Sequence, residues 1–335
     1  MISRSTPLHN APFLLRPSGK DYLWGGRRLK DDFGKALGLE PLAETWECST
    51  HPDGPCIVAG GEFNGWTLSQ VIREHPEFLG THSPDKTGLP ILIKLIDAKK
   101  DLSIQVHPDD SFARAHENGQ PGKSEMWYVL DAAADTHLVF GLHHKVDQAT
   151  LRQSITDGTI EKYLQKVPVK KNDVFFIEAG TIHALGAGAL IVEIQQCSNL
   201  TYRLYDYDRV DRNGEKRELH IDKALEAADL GGNPMPVQPL RVLKYLPGCA
   251  SELLCRCKYF EVHRMLINTE NCRMMVPYRA DSLSFRVLLC VSGCGDLIME
   301  TGRAIQFFKG DCVFFPANSM QVRLHGKAQF LDARG

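Results

Sequence analysis

The 335-residue sequence contains no apolar run approaching the roughly 20 residues that a membrane-spanning helix needs. Its ten cysteines include no C-x-x-C pair, which removes the spacing of thiolate zinc sites and of thioredoxin-like redox chemistry. Charge of either sign is not in surplus. The formal net charge is −2, too small for a global field that would gather nucleic acid or an anionic bilayer, and neither is expected as a partner. Residues 1–10 lack the apolar segment of a secretory signal, so the expected compartment is the cytoplasm and a disulfide framework is not expected. The cysteines, seven of them beyond residue 240, read instead as small buried apolar residues. The glycines of Gly186-Ala187-Gly188 have the wrong spacing for a dinucleotide fingerprint, and no βαβ pattern surrounds them.

What is present is a succession of short apolar stretches bounded by Gly, Pro, Asn and Asp. Residues 90–96, 126–130, 173–177 and 189–194 read as strands. Helical patterns are fewer: residues 67–78 with Thr67 as a cap, residues 147–165 as two short helices broken near Asp157-Gly158, and residues 221–230 stopped by Gly231-Gly232. The length suggests two domains. The stretch 231–239, with three prolines, is the best linker candidate. Residues 171–183 align without gaps on residues 309–321, each reading as turn, buried strand, turn and the start of another strand. His183 falls on Gln321, and no counterpart of residues 104–110 occurs after residue 240. The pattern predicts a mainly β protein of two jelly-roll barrels with a few inserted helices. Its domains are expected at residues 1–235, with the chemistry and the helical insertions, and 236–335, without metal ligands.

The segment Ile104-Gln105-Val106-His107-Pro108-Asp109-Asp110 carries the chemistry, together with Lys123-Ser124-Glu125 and Gly180-Thr181-Ile182-His183. In an extended chain, side chains two apart share a face. Gln105 and His107 then point one way, and Ile104 and Val106 point the other way into a core. His107, Glu125 and His183 are the ligand types of an open zinc or iron site. Singly, each has an ordinary reading: His107 as the start of a turn, Glu125 as a solvated strand residue, His183 as a turn residue. Lys94 lies between Leu92 and Ile96 on one face of an apolar strand, where burial is expected to lower its pKa and suit it to general-base work. Lys123 shares a face with Glu125. Arg203 sits in a run of Tyr and Asp and reads either as an oxyanion or phosphate ligand or as an ion-pair partner of Asp206 or Asp208, a structural role that suits Arg209 and Asp208 better.

Residues 104–110, then Gly122-Lys123-Ser124-Glu125, residues 179–196 and residues 201–209, in this order, resemble the type I mannose-6-phosphate isomerases in their short bacterial form. Residues 46–55 and 22–26 match the same family, so the resemblance covers nearly the whole chain. It implies cupin-type jelly rolls, one zinc per chain held by Gln105, His107, Glu125 and His183, and the interconversion of mannose 6-phosphate and fructose 6-phosphate. It supplies Gln105, which spacing alone does not. It places Lys94, Lys123 and Arg203 at positions for substrate binding or proton transfer, and Ser103 at a position for contact with the phosphate. The implied partner is a phosphorylated hexose; whether the chain is a monomer or a homodimer is left open. One departure is Asn199, where the family usually has Asp. Two other readings stay beside this one: another metal-dependent cupin enzyme such as an iron oxygenase, and a non-catalytic sugar-binding or regulatory cupin.

Overall fold

The computed structural model describes residues 10–83, 85–211, 213–272 and 274–335. It is mainly β with a few short helices, as the punctuated apolar stretches predict. The four expected strands are observed at Ile91–Asp97, Glu125–Asp131, Val174–Ile177 and Leu190–Gln196. The first expected helix is Leu68–Glu74. Thr67 accepts a hydrogen bond from Gln70 N while the Gln70 side chain accepts one from Thr67 N, a capping box. It stops short of residue 78 because Pro76 has no N–H to continue the ladder, and a tighter 3₁₀ turn follows at Pro76–Leu79. The break expected near Asp157-Gly158 separates Gln148–Thr156 from a 3₁₀ turn at Ile160–Lys162. The third helix is Ile221–Ala227.

The chain divides into two compact units. One holds residues 46–93 and 240–335 with the N-terminal stretch through Ser18; the other holds residues 19–45 and 94–239. This differs from the expected division at 235/236. The strand Phe13–Arg16 pairs with Cys312–Phe315 on one side and with Ile57–Ala59 on the other, so it lies within a ten-stranded sheet whose remaining eight strands come from residues 244–334. Phe13 stacks on Phe314 at 5.3 Å, and Leu15 is buried. Apolar burial, not chain order, assigns this strand. Within the same unit a second core of Leu288, Cys290, Val313, Phe315, Phe330 and their neighbours is filled with apolar side chains. Of the ten cysteines, all free, only Cys48, Cys56, Cys290 and Cys312 are buried; Cys272 and Cys294 are exposed, against expectation.

The unit of residues 19–45 and 94–239 is a sandwich. A five-stranded sheet runs in the order Tyr202–Tyr205, Ile104–Val106, His183–Leu185, His137–Leu142, Leu164–Pro168. Its inner face, with Leu138 and Leu185, shares a core with Trp127, Val129 and Ile191 of a six-stranded sheet, in which Glu125–Asp131 lies between Val174–Ile177 and Leu190–Gln196. Its outer face, with Ile104, Val106, Val139 and Ala184, packs under Leu151 and Ile155 of one helix and Ala224 and Leu225 of another. The period of two then turns Gln105 and His183 inward. The edge strand Val174–Ile177 is met by Gln238, whose amide accepts from Val174 N at 2.8 Å and donates to Val174 O at 3.1 Å.

The internal repeat has a backbone signature. Asn172 (φ 72°) aligns with Gly310 (φ 99°), and Gly180 (φ 90°) with Asn318 (φ 54°), so both copies turn left-handed at the same two places. The strands between them, Val174–Ile177 and Cys312–Phe315, coincide in the alignment. Only Gly and Asn adopt this region at low cost. Gly180→Ala is expected to cost about 1–2 kcal/mol, and Asn318→Gly less than about 1 kcal/mol. Urea denaturation of the two variants beside the unaltered chain measures both.

Candidate metal centre

Backbone pairing assembles the site. His183 lies directly opposite Gln105, and Gln105 directly opposite Arg203, across three adjacent strands of the five-stranded sheet. Glu125 opens the strand Glu125–Asp131 of the other sheet and faces them. His107 follows the strand Ile104–Val106. It is held in place because its carbonyl accepts from Gly180 N at 2.8 Å, tying the two histidine-bearing turns together. Asp109 then caps a helix, Asp110–His116, that the sequence reading took only for a turn; its carboxylate accepts from Phe112 N at 2.7 Å.

His107, Glu125 and His183 are fully buried, and their ligand atoms all lie within 4.8 Å of one another. His107 Nε2 is 3.4 Å from Glu125 Oε2, and His183 Nε2 is 3.5 Å from Glu125 Oε1. His183 donates from Nδ1 to the Thr181 carbonyl at 2.9 Å, which leaves the lone pair of Nε2 facing Glu125. Gln105 Nε2 is 3.4 Å from His183 Nε2, and Gln105 Oε1 accepts from Ser103 Oγ at 3.3 Å. A half-turn of that amide presents its oxygen to the cluster and lets its nitrogen donate to Ser103. Lys123 Nζ lies 3.0 Å from both Glu125 Oε2 and His107 Nε2. Even so, neither oxygen of Glu125 has a hydrogen bond of normal geometry.

The electrostatics favour the protonation states of metal ligands. Burial, reinforced by the Lys123 charge, pushes His107 down to about 3, and burial lowers His183 too. Burial would raise the Glu125 carboxyl, but Lys123 and His107 hold it well below the usual carboxylate range. Two neutral imidazoles, an ionised carboxylate with unused lone pairs and an adjacent amide fit a borderline divalent cation.

Gln105 and Lys123 wall the triad from a cavity of about 110 Å³. Lys94, Ser103, Asn199 and Arg203 line it too, so the residues expected to bind metal or substrate stand together, in the cavity wall or in the triad behind it. The expected pKa of Lys94 is corrected. Burial works to lower it, but Glu193 at 2.9 Å and Glu44 at 3.8 Å outweigh burial and raise it above the ordinary lysine value. Lys94 is therefore a paired ammonium and not a free base. Arg203 makes no ion pair among the described residues, and its buried Nε has no hydrogen-bond partner. Asp206 pairs with Arg209 and Arg217, and Asp208 pairs with Lys216, so Arg209 has its structural role with a different aspartate. Sequence reasoning passed over Glu44, Glu193 and Arg217, which line the same cavity.

Residues 13–133 match the family described as phosphomannose isomerase type I, catalytic domain. The probable mannose-6-phosphate isomerase GmuF of Bacillus subtilis is 37% identical over 96% of this chain and 98% of its own length. The chain belongs to the type I mannose-6-phosphate isomerase family. The crystal structure of the mannose 6-phosphate isomerase from Bacillus subtilis superposes with a TM-score of 0.88 at 34% identity, covering 96% of this chain and 99% of that one. A mannose 6-phosphate isomerase bound with zinc and yttrium shares the fold at a TM-score of 0.74 and 16% identity, over 97% and 99% of the two chains. Family membership carries the cupin fold expected of the sequence. Among the described residues, no helix is long and apolar enough to cross a membrane.

Two outcomes check the centre. Glu125→Gln and His183→Ala should each weaken divalent-metal binding by at least about 10-fold, read by competition with a chromophoric chelator. In metal-free protein, His107 stays neutral down to about 3, whereas an unfolded histidine protonates near pH 6.5. The unfolded state then binds more protons between these values, so stability falls as pH drops through that window. His107→Gln should flatten the denaturation midpoint against pH over the same range.

Proposed function

We propose that the protein interconverts mannose 6-phosphate and fructose 6-phosphate by moving a proton between C1 and C2 through a cis-enediol. The supporting observation is the buried triad behind a cavity whose walls carry paired carboxylates, two lysines and two arginines. The metal assigned to Gln105, His107, Glu125 and His183 is zinc, one per chain. When bound it supplies a Lewis acid for the sugar's hydroxyl and carbonyl oxygens. The protein's own groups do the rest. Lys94 enters as an ammonium, able to donate and unable to accept a proton. It fixes Glu193, whose second oxygen accepts from Trp127 Nε1 at 3.0 Å. Glu193 is thus an oriented carboxylate on the cavity wall, and we assign it the proton transfer between the carbons. Lys123 and Arg203 stabilise negative charge on the enediol and hold the substrate, with Ser103 as a neutral contact. Asn199 cannot exchange a proton, so ring opening falls to another group of the cavity or proceeds unassisted.

The charged lining suits an anionic sugar and gives no support to an oxygenase of apolar substrates. A site confined within one chain of a family of metabolic isomerases also suits the cytoplasmic location expected from the sequence.

Zinc-loaded protein should turn over mannose 6-phosphate in a coupled assay, lose activity to a chelator and regain it with zinc. No turnover by folded, zinc-loaded protein would reject the assignment. Mannose 6-phosphate formed in D₂O should carry deuterium at C2 by NMR; its absence would indicate a hydride shift. Glu193→Gln should lower kcat by about 10²–10⁴-fold with metal content unchanged, whereas retained turnover in that variant removes Glu193 from the role.

A further inference from the structure

A second cavity, of about 390 Å³ against about 110 Å³ beside the triad, opens in the unit that holds residues 240–335. It is lined by Pro277, Tyr278, Arg279, Arg286 and Gln321. Strand ends gather these residues. Tyr278 closes the strand Val276–Tyr278 directly opposite Val322, Gln321 precedes Val322, and Arg286 opens the strand Arg286–Met299. Gln321 is the residue aligned with His183, so the cavity borders the position at which the other copy of the repeat carries a member of the triad.

The walls carry more hydrogen-bonding capacity than the chain uses. Arg279 is exposed, and among the described residues its side chain makes neither an ion pair nor a hydrogen bond; the Gln321 amide is likewise unengaged. Arg286 donates from Nη1 to Asp332 Oδ2 at 2.8 Å, which holds the guanidinium and leaves Nε and Nη2 over. Asp332 is buried on the neighbouring strand, opposite Leu288. Its Oδ1 and the Tyr278 hydroxyl are buried without hydrogen-bond partners of normal geometry, although the Tyr278 ring is fixed edge-on to Phe315 at 4.8 Å. Apolar side chains of similar volume serve a core at least as well as a buried ion pair, so packing does not account for this one. Asp281 adds negative charge near Arg286. Its Oδ1, however, accepts from Leu283 N at 2.9 Å, and it pairs with neither arginine among the described residues.

We propose that this cavity binds the phosphate or carboxylate group of a small solute against Arg279 and Arg286, with the Gln321 amide as a further donor and Asp332 as the residue that positions Arg286. The ligand class follows from the lining. Its unengaged groups are mainly N–H donors, and two guanidiniums present the planar fork that oxyanions accept. The carboxylate in ion-pair contact, Asp332, is already committed to one of them. A guanidinium held in place before the ligand arrives loses little freedom on binding. The site lies apart in sequence from the residues assigned to the metal and the sugar, and binding here requires neither metal nor turnover.

Calorimetric titration of the full chain with inorganic phosphate, and separately with succinate, tests this. Arg279→Ala and Arg279→Glu change an exposed side chain and leave the fold intact. Each should weaken binding of the preferred probe at one site per chain by at least about 10-fold, while kcat and KM for mannose 6-phosphate stay as in the unaltered protein. Any phosphate taken up in the catalytic cavity is common to all three proteins and drops out of the comparison. The double variant Arg286→Gln, Asp332→Asn removes the ion pair without leaving a buried charge uncompensated, and once folded it should show the same loss. Tighter binding of phosphate assigns the site to phosphate monoesters, and tighter binding of succinate to carboxylates. Identical titrations in the unaltered protein and the Arg279 variants would overturn the proposal, as would binding of neither probe by the unaltered chain. Both results would leave the isomerase reading untouched, since that reading is judged by turnover alone.

Discussion

A carboxylate sealed from water governs this molecule. Glu125 has no exposed surface, and its oxygens face two imidazoles and one ammonium at 3.0–3.5 Å. Burying an ionised carboxylate is costly, and the cost is recovered only by close opposite charge or a cation. Lys123 answers one oxygen. The other lies 3.5 Å from His183 Nε2 and keeps lone pairs that suit a cation. Each of the three supporting features serves this. The register of His183 with Gln105 and of Gln105 with Arg203 lines up the partners, the Gly180–His107 bond joins the turns, and the outer apolar cluster locks the five-stranded sheet beneath its helices.

The same strand-turn pattern recurs in the other unit without the triad. Around Cys312–Phe315 the interior is packed with Leu288, Val313, Phe315 and Phe330, beside a buried ion pair of Arg286 and Asp332 at 2.8 Å. Gln321, on the position of His183, is exposed. Left-handed residues at the same two turns survive in both copies because they are conditions of the fold. The histidine stands in one copy alone, where it belongs to the buried triad.

Much of this was legible in the amino-acid order. Alternation alone turned Ile104 and Val106 toward one core and Gln105 toward the other side, and strand patterning found Glu125 and His183. Gln105 as a ligand came from family resemblance, since an amide is a weak donor that no spacing rule selects. Two readings failed because partners distant in sequence decide local chemistry. Lys94 is kept charged by Glu193, 99 positions away, and the strand Phe13–Arg16 joins a sheet made almost wholly from the far end of the chain. The partner of Arg209 is a local matter: Arg209 meets Asp206, three residues before it, and not Asp208. The helix after Asp109 escaped notice because a single Pro-Asp-Asp reads as a turn until Phe112 and Ala113 are seen to pack.

Gln238 has a further consequence. Its side-chain amide imitates a neighbouring strand against Val174, one donor and one acceptor placed where another peptide would sit. The outermost strand of the six-stranded sheet is thereby plugged by its own chain. A sheet rim left bare recruits foreign backbone and seeds fibrous assembly. One glutamine in the connecting segment thus covers a rim of the sandwich that would otherwise stand open to such pairing.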